Sequence, residues 1–232
     1  MSPAPPPSLR TLGIVGAGRV GLAIARRAVA AGLDVGVAAR RPPEEMRAVI
    51  EAGAPGASSI SVADAARRDA VLLALPLGKI ASLDAALFAG ALVIDASNHW
   101  WEIDGRLPQF EDLTTSTSEQ VGRHLAGARI VKSLNHVGAY VLEELHAPPG
   151  DPARIAVAVA GDGADDVDAV AGLVDALGYD PVVAGSLAEG MRFEPGTELF
   201  GAEGDAAEAR AMLDRFWDSQ RGRVVARARA AL

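Results

Sequence analysis

An α/β fold, with a doubly wound and mostly parallel sheet covered on both faces, is predicted by three observations. Short apolar runs of strand length alternate with helix-period stretches over most of the 232 residues. One of these runs, Ala70 to Leu75, is continuously apolar, as a strand buried on both faces must be. The first run, Leu12 to Val15, opens into Gly16-Ala17-Gly18-Arg19-Val20-Gly21 and then a helical stretch, which is G-x-G-x-x-G in its strand–turn–helix setting.

In chain order, the first strand and fingerprint lead into a helix from Leu22 to Ala31 and a second strand from Leu33 to Ala39. A helix near Pro43 to Ala52 and a weak strand at Ser58 to Ser61 follow. Ser61 and Asp64 resemble a capping box that opens a short helix over Val62 to Arg67. Pro76 ends the buried strand, and Gly78 to Leu87 reads as the next helix. The strand Ala91 to Asp95 delivers Ala96-Ser97-Asn98-His99-Trp100-Trp101 to its carboxyl end, where loops border the ligand crevice in such sheets. Trp101 to Ser118 is irregular, a length usually functional or mobile in a compact domain. Ser116 and Glu119 form a second capping-box pattern for a helix to about Leu125, before a strand at Arg129 to Lys132. Ser133 to Tyr140 turns into a helix ending near Leu145, and Ala147 to Asp151 is a Pro/Gly hinge. A strand, helix and strand are expected at Ile155 to Ala160, Ala164 to Leu177 and Pro181 to Ala184. A final helix is expected over Ala206 to Leu232, with an apolar stripe through Leu213, Trp217, Val224 and Ala228 and a basic end at Arg221, Arg223, Arg227 and Arg229. The division that follows is a disordered leader at 1–10, a Rossmann-type dinucleotide-binding domain at 11–146, a small C-terminal α/β part at 147–204 and the helix at 205–232.

The fingerprint supplies the first site residues. Gly16 permits the tight turn, Gly18 lets the backbone approach a pyrophosphate, and Gly21 lets helix and strand pack closely, while Ala17, Arg19 and Val20 open the helix whose free N–H groups meet the phosphates. About twenty residues on, the acid that would accept from a ribose 2′-hydroxyl is missing. In its place stand Arg40 and Arg41, two guanidiniums suited to a 2′-phosphate, so the pattern points to NADP rather than NAD. The bland reading is a pair of solvated loop arginines.

Composition sets limits. The net charge is −8, half of the residues are apolar, and cysteine is absent. A core is easily built, a nucleic-acid surface is disfavoured, and thiolate metal sites and disulfides are excluded. No early segment resembles a secretory signal and no apolar run is long enough for a bilayer, so a soluble, cytoplasmic protein is expected, with no membrane partner. The stripe of the final helix buries either on its own domain or across a two-fold homodimer.

Several stretches, IVGAGRVGLAIARRAVAAG, AVLLALPLGKI, ALVIDASNHWWEIDG, STSEQVGRHLAGARIVKSLNHVGAY, AVAVAGDGADDVDAVAGLVDALGYDPVVAGSLAEG and RFEPGTELFG, together resemble the F420-dependent NADP oxidoreductase family, actinobacterial type, from about Leu12 to Gly201. The resemblance implies hydride transfer between NADPH and the deazaflavin coenzyme F420, with both reacting atoms on cofactors and the protein supplying binding and orientation. It places Ala74, Leu75 and Pro76 along the ribose and nicotinamide, and Lys79 at the following helix start; a buried strand that stops at proline explains Leu75 and Pro76 equally well. It puts Asn135, His136, Val137 and Gly138 where the two rings stack, although Asn135 is also a good helix N-cap, and Asn98, in the loop that borders the crevice, is a further cofactor-binding candidate.

His136 is the candidate positioning residue for catalysis; no catalytic acid or base is required. His99 borders the crevice or packs in its loop, and Trp100 and Trp101 flank a bound ring or anchor the long loop. Arg192 either meets the acidic F420 tail or pairs with Glu194 or Glu198. The competing functions are an NADPH-dependent reductase of a flavin, ferric chelate or small imine or carbonyl, and a non-catalytic NADP-binding redox sensor.

Overall fold

A computed structural model of the chain describes residues 9–110, 112 and 114–231. Most of the leader predicted at 1–10 lies outside these residues. Leu9 and Arg10 belong to the fold: Leu9 is buried, and the backbone N–H of Arg10 donates to Asp69 Oδ2 at 2.8 Å.

The elements run β1 (Thr11–Val15), α1 (Arg19–Ala30), β2 (Asp34–Ala38), α2 (Pro43–Gly53), β3 (Ser58–Ser59), α3 (Val62–Ala66), β4 (Ala70–Leu73), α4 (Leu77–Ile80), β5 (Leu92–Asp95), α5 (Trp101–Asp104), α6 (Thr117–His124), β6 (Arg129–Ser133), α7 (Ala139–Glu144), β7 (Ala156–Gly161), α8 (Ala164–Leu177), β8 (Asp180–Gly185), α9 (Ala206–Arg215) and α10 (Gln220–Arg229). Short 3-10 turns occupy Ala85–Phe88, Pro108–Phe110, Leu187–Phe193 and Phe216–Asp218. The eight strands form one sheet in the order β3-β2-β1-β4-β5-β6-β7-β8. Every neighbouring pair is parallel except β6 and β7, which run antiparallel. The strands beyond the Pro/Gly segment therefore extend the nucleotide sheet itself. The chain winds outward from β1 to β3 and then returns to place β4 beside β1, so the switch point lies between those two strands.

Alternation along β1 to β6 builds two of the apolar cores. Leu12, Ile14, Leu72, Ile94 and Val131 face one side, with α1 and α8; Val15, Val71, Leu73, Val93 and Ile130 face the other, with α3 and α6.

Three sequence expectations change. The helix predicted at Gly78–Leu87 splits into α4 and a separate 3-10 turn, because the Ser82 hydroxyl donates to the Lys79 carbonyl at 2.7 Å and Asp84 caps the new turn through the N–H of Ala86 at 3.1 Å. The irregular stretch after Trp101 contains α5, whose Asp104 carboxylate accepts from the N–H groups of Gly78 and Trp100. The single final helix is two, broken where Ser219 turns extended and caps α10 by accepting from the Gly222 N–H at 2.9 Å. The break shifts the apolar face: Leu213, Phe216 and Val225 are buried, and Val224 is 41% exposed.

Candidate functional site

The fingerprint turn is built on backbone contacts. Gly16 has φ +125° and its N–H donates to the Ala38 carbonyl at 2.8 Å. A Cβ at Gly21 would lie 1.9 Å from the Gly16 carbonyl oxygen, so only glycine lets α1 begin this close to β1. Gly18, the N-cap of α1, is different: a Cβ there would meet nothing within 4 Å. The space over Gly18 is open, at the amino end of a 12-residue helix with no acid in its first turn. That is the cradle an anionic pyrophosphate requires.

Two cavities meet there. The first, of about 340 Å³, is lined by Val15 to Gly18, Ala39, Arg40, Val62, Ala74 to Pro76, Lys79, Ser82 and Leu83. Its two cations, Arg40 and Lys79, are exposed, and neither side chain has an ion pair among the described residues; no carboxylate lines the space. Arg41 is exposed and does not line this cavity. The second, of about 390 Å³, shares Gly18 and Ala74 to Pro76 with the first. It continues past Arg19, Val20, Ala96 to Asn98, Trp100, Ile103, Leu134, Asn135 and Val137. Together they form one crevice across the carboxyl ends of β1, β4, β5 and β6, over the switch point.

The floor of the second cavity is tied across strands. Asn98 Nδ2 donates to the Asn135 carbonyl at 2.7 Å, and Asn135 Nδ2 donates to Asn98 Oδ1 at 3.0 Å and to the Phe193 carbonyl at 2.9 Å. Asn135 Oδ1 is buried and has no partner among the described residues. An orphaned carbonyl oxygen beside a ligand-sized space fits an N–H donor such as a carboxamide or a deazaflavin imide. Between β6 and Asn135, Leu134 holds φ +62°, a strained conformation for a branched side chain. Trp100 stands at the rim, edge-on to Phe200 at 5.6 Å, and Trp101 and Ile103 are more than half exposed beside it.

Beneath this floor lies a buried ionic network that sequence reading missed. Lys132 on β6 is fully buried, with its ammonium 3.9 Å from both Asp95 Oδ2 and Glu194 Oε1. It donates to the Ser97 carbonyl, Thr117 Oγ1 and Ser118 Oγ at 3.3, 3.0 and 3.1 Å. Glu194 also accepts from the N–H and hydroxyl of Thr117, both at 2.8 Å, and from Arg221 at 2.8 Å. Burial alone would raise the Glu194 carboxyl, but the Lys132 and Arg221 charges and the Thr117 hydrogen bonds outweigh it and hold it below the ordinary value. The only sequence signal was a lysine inside an apolar strand.

Several expected site residues lie elsewhere. His136 points into the core: it is 1% exposed, its Nε2 accepts from the Ala158 N–H at 2.9 Å, and its ring meets Phe193 edge-on. Burial pushes its pKa down to about 4, with the Lys132 charge acting in the same direction and the Leu199 backbone opposing. It is a neutral packing residue, because the strained turn at Leu134 presents Asn135 and Val137 to the cavity and sends the intervening ring inward. Gly138, the N-cap of α7, is exposed and lies outside the cavity lining. Arg192 lies beside β8, at the far edge of the sheet, bound to Glu189 at 2.8 Å and to the carbonyls of Ala184 and Leu213. It pairs with neither Glu194 nor Glu198, which are taken by Arg221 and Arg215. His99 packs in its loop, with Nε2 3.0 Å from the Gly105 carbonyl and its ring against Phe110.

A mostly parallel sheet with a glycine turn, an open helix terminus and a crevice at the switch point defines a dinucleotide-binding architecture. The family model described as "NADP oxidoreductase coenzyme F420-dependent" matches residues 11–99. A hypothetical protein from Sinorhizobium meliloti is 30% identical, with a TM-score of 0.70 over 84% of this chain and 95% of that one. The chain belongs to this family, and at that level it is an NADP-dependent oxidoreductase. A structure from Arthrobacter sp. FB24, named for F420-dependent NADP reduction, superposes with a TM-score of 0.66 at 23% identity, covering 91% of this chain and 94% of that one. An imine reductase from Pseudomonas sp. shares the fold at 15% identity and a TM-score of 0.55, over 90% of this chain and 62% of that one. The protein YjhV of Escherichia coli (strain K12) is 40% identical over 80 residues, 34% of this chain; the match spans 56% of that relative. No helix among the described residues is long and apolar enough to cross a membrane.

Proposed function

We propose that the chain transfers a hydride between NADP(H), lying along the first cavity with its reactive end in the second, and the deazaflavin F420, entering the second cavity from the Trp100 rim. The nicotinamide and deazaflavin rings supply the redox chemistry when bound, each providing its own reacting carbon. The protein's part is to grip, orient and exclude water. The free N–H groups of α1 over Gly18 receive the pyrophosphate, and Arg40 and Lys79 receive further phosphate charge. Asn98 and Asn135 hold one edge of the ring pair, and Leu75, Pro76, Leu134 and Val137 wall it with apolar surface.

One observation carries the choice of acceptor. Among the described residues lining the second cavity, Arg19 is the lone titratable side chain, and a guanidinium does not give up its proton. A carbonyl or imine accepting hydride develops localised charge that calls for a proton donor in reach. A conjugated deazaflavin spreads that charge over its own ring. The family's name points to the same acceptor.

The test is anaerobic stopped-flow mixing of the protein and NADPH with F420, followed by the loss of F420 absorbance. The expected result is stoichiometric reduction, with deuterium from the transferred position of NADPH retained on the deazaflavin. An inert F420, beside rapid reduction of a flavin, ferric chelate or imine, overturns the reading; no reduction of any acceptor leaves the NADP-binding sensor.

A further inference from the structure

The cations of the site divide between the two cavities. Arg40 and Lys79 line the first, whereas Arg19 lines the second and does not line the first, although it follows the fingerprint's Gly18 directly. Arg19 also lines a third space, a groove of about 270 Å³ between α1 and α7, with Leu22, Arg26, Ala139, Tyr140 and Glu143. Within that groove the other charges are already matched: Arg26 binds Glu143 and the Gly53 carbonyl. Arg19 is exposed, and its side chain makes no hydrogen bond or ion pair among the described residues. The Tyr140 ring, 67% exposed, stands with it.

We propose that this groove is an anion subsite for the second ligand. Arg19 grips a phosphodiester or carboxylate on the ligand's tail as the tail leaves the ring cavity between α1 and α7, and Tyr140 covers the linker. The inference rests on the F420 reading and deepens it: the groove makes the protein prefer a deazaflavin carrying an acidic tail over the same ring without one. Three features support it. Arg19 is the residue common to the ring cavity and the groove, so one guanidinium borders both spaces. The groove's net charge is one positive, counting Arg19 and Arg26 against Glu143. An unpaired guanidinium presents a fork suited to paired oxygens of either anion.

The experiment compares F420 with its tail-free deazaflavin alcohol, at saturating NADPH, in the native chain and in Arg19→Met and Tyr140→Ala. The native chain is expected to show the higher kcat/KM for F420, and Arg19→Met to lower that preference about tenfold, mainly through the KM for F420. Added salt shrinks the preference in the native chain and leaves it nearly constant in Arg19→Met. Equal loss for both deazaflavins, or, in a parallel titration of NADPH at fixed F420, a change confined to the KM for NADPH, overturns the subsite and returns Arg19 to the dinucleotide. If the native chain reduces neither deazaflavin, the F420 reading itself falls and the subsite with it. If it reduces both equally well, the reading stands and the subsite falls.

Discussion

The two cavities share Gly18 and Ala74 to Pro76, yet they are made by different means. The first is a product of local backbone: a glycine turn, a helix end and two cations, Arg40 and Lys79, whose side chains have no ion pair among the described residues. The second is a product of distant side chains: Asn98 and Asn135 meet across 37 residues of sequence, and the Ser97 carbonyl next to Asn98 accepts from a lysine that pairs with carboxylates from β5 and from Glu194. A surface made by backbone can lose its function without losing its fold. A surface made by buried charge cannot.

The sharpest test of that contrast sets two glycines against each other. Gly21→Ala forces a Cβ to within 1.9 Å of the Gly16 carbonyl oxygen and is expected to destabilise the protein by about 3 kcal/mol or more, seen as a large fall in Tm. A Cβ at Gly18 meets no atom within 4 Å, so in Gly18→Val the Tm should hardly move while NADPH affinity falls at least about a hundredfold, or roughly 2.7 kcal/mol. Retained NADPH binding in Gly18→Val would remove this turn from the site.

For the second cavity the matching change is Lys132→Met, which strands Asp95 as a buried carboxylate without a counter-charge and leaves Glu194 with Arg221 as its one remaining cation. A loss of about 3 to 5 kcal/mol in urea unfolding is expected, together with loss of activity. A variant that folds normally and fails only in turnover would make Lys132 part of the chemistry.

Acid should attack the same half of the molecule. His136 has a folded pKa of about 4 against 6.5 unfolded, so between those values the unfolded chain binds the extra proton. The stability from keeping this ring neutral is complete above pH 6.5 and is lost as pH falls toward 4, a swing of about 3 kcal/mol. Glu194, held below its ordinary value, adds loss in the same direction at lower pH still. Unfolding titrations of the native chain and of His136→Phe should differ in slope across that window; identical slopes would place the acid sensitivity elsewhere.

The smallest effect separates two adjacent arginines. Arg40→Ala, which removes a cavity residue, should weaken NADPH binding by about 1.5 to 3 kcal/mol and leave NADH nearly unchanged. Arg41→Ala, outside the lining, should cost less than about 1 kcal/mol. Calorimetric titration with both dinucleotides distinguishes them.

What the sequence disclosed follows the same division. Strand alternation, the glycine turn and both Ser116 and Ser61 caps were legible because each is encoded within a few residues. Asn98 and Asn135 were legible as polar residues at strand ends, where crevices form. His136 was misread because a one-residue turn decides which neighbour faces the cavity, and Leu134 makes that turn in a backbone region its side chain disfavours. Arg192 was misread because its partners are a carboxylate one turn earlier and carbonyls from two other elements, which spacing does not reveal. The break at Ser219 hid in a helix-period pattern that continues across it.

Glu194 joins α6, β6 and α10 through one carboxylate. Its consequence is historical as much as mechanical. Thr117, Lys132 and Arg221 are separated by up to 104 positions, yet none of them can change alone without leaving a neighbour's charge or hydrogen bond uncompensated. Descendants of this chain should therefore exchange these residues as a set, through epistatic steps, and a pairwise swap that is neutral in one relative should be harmful when grafted into another.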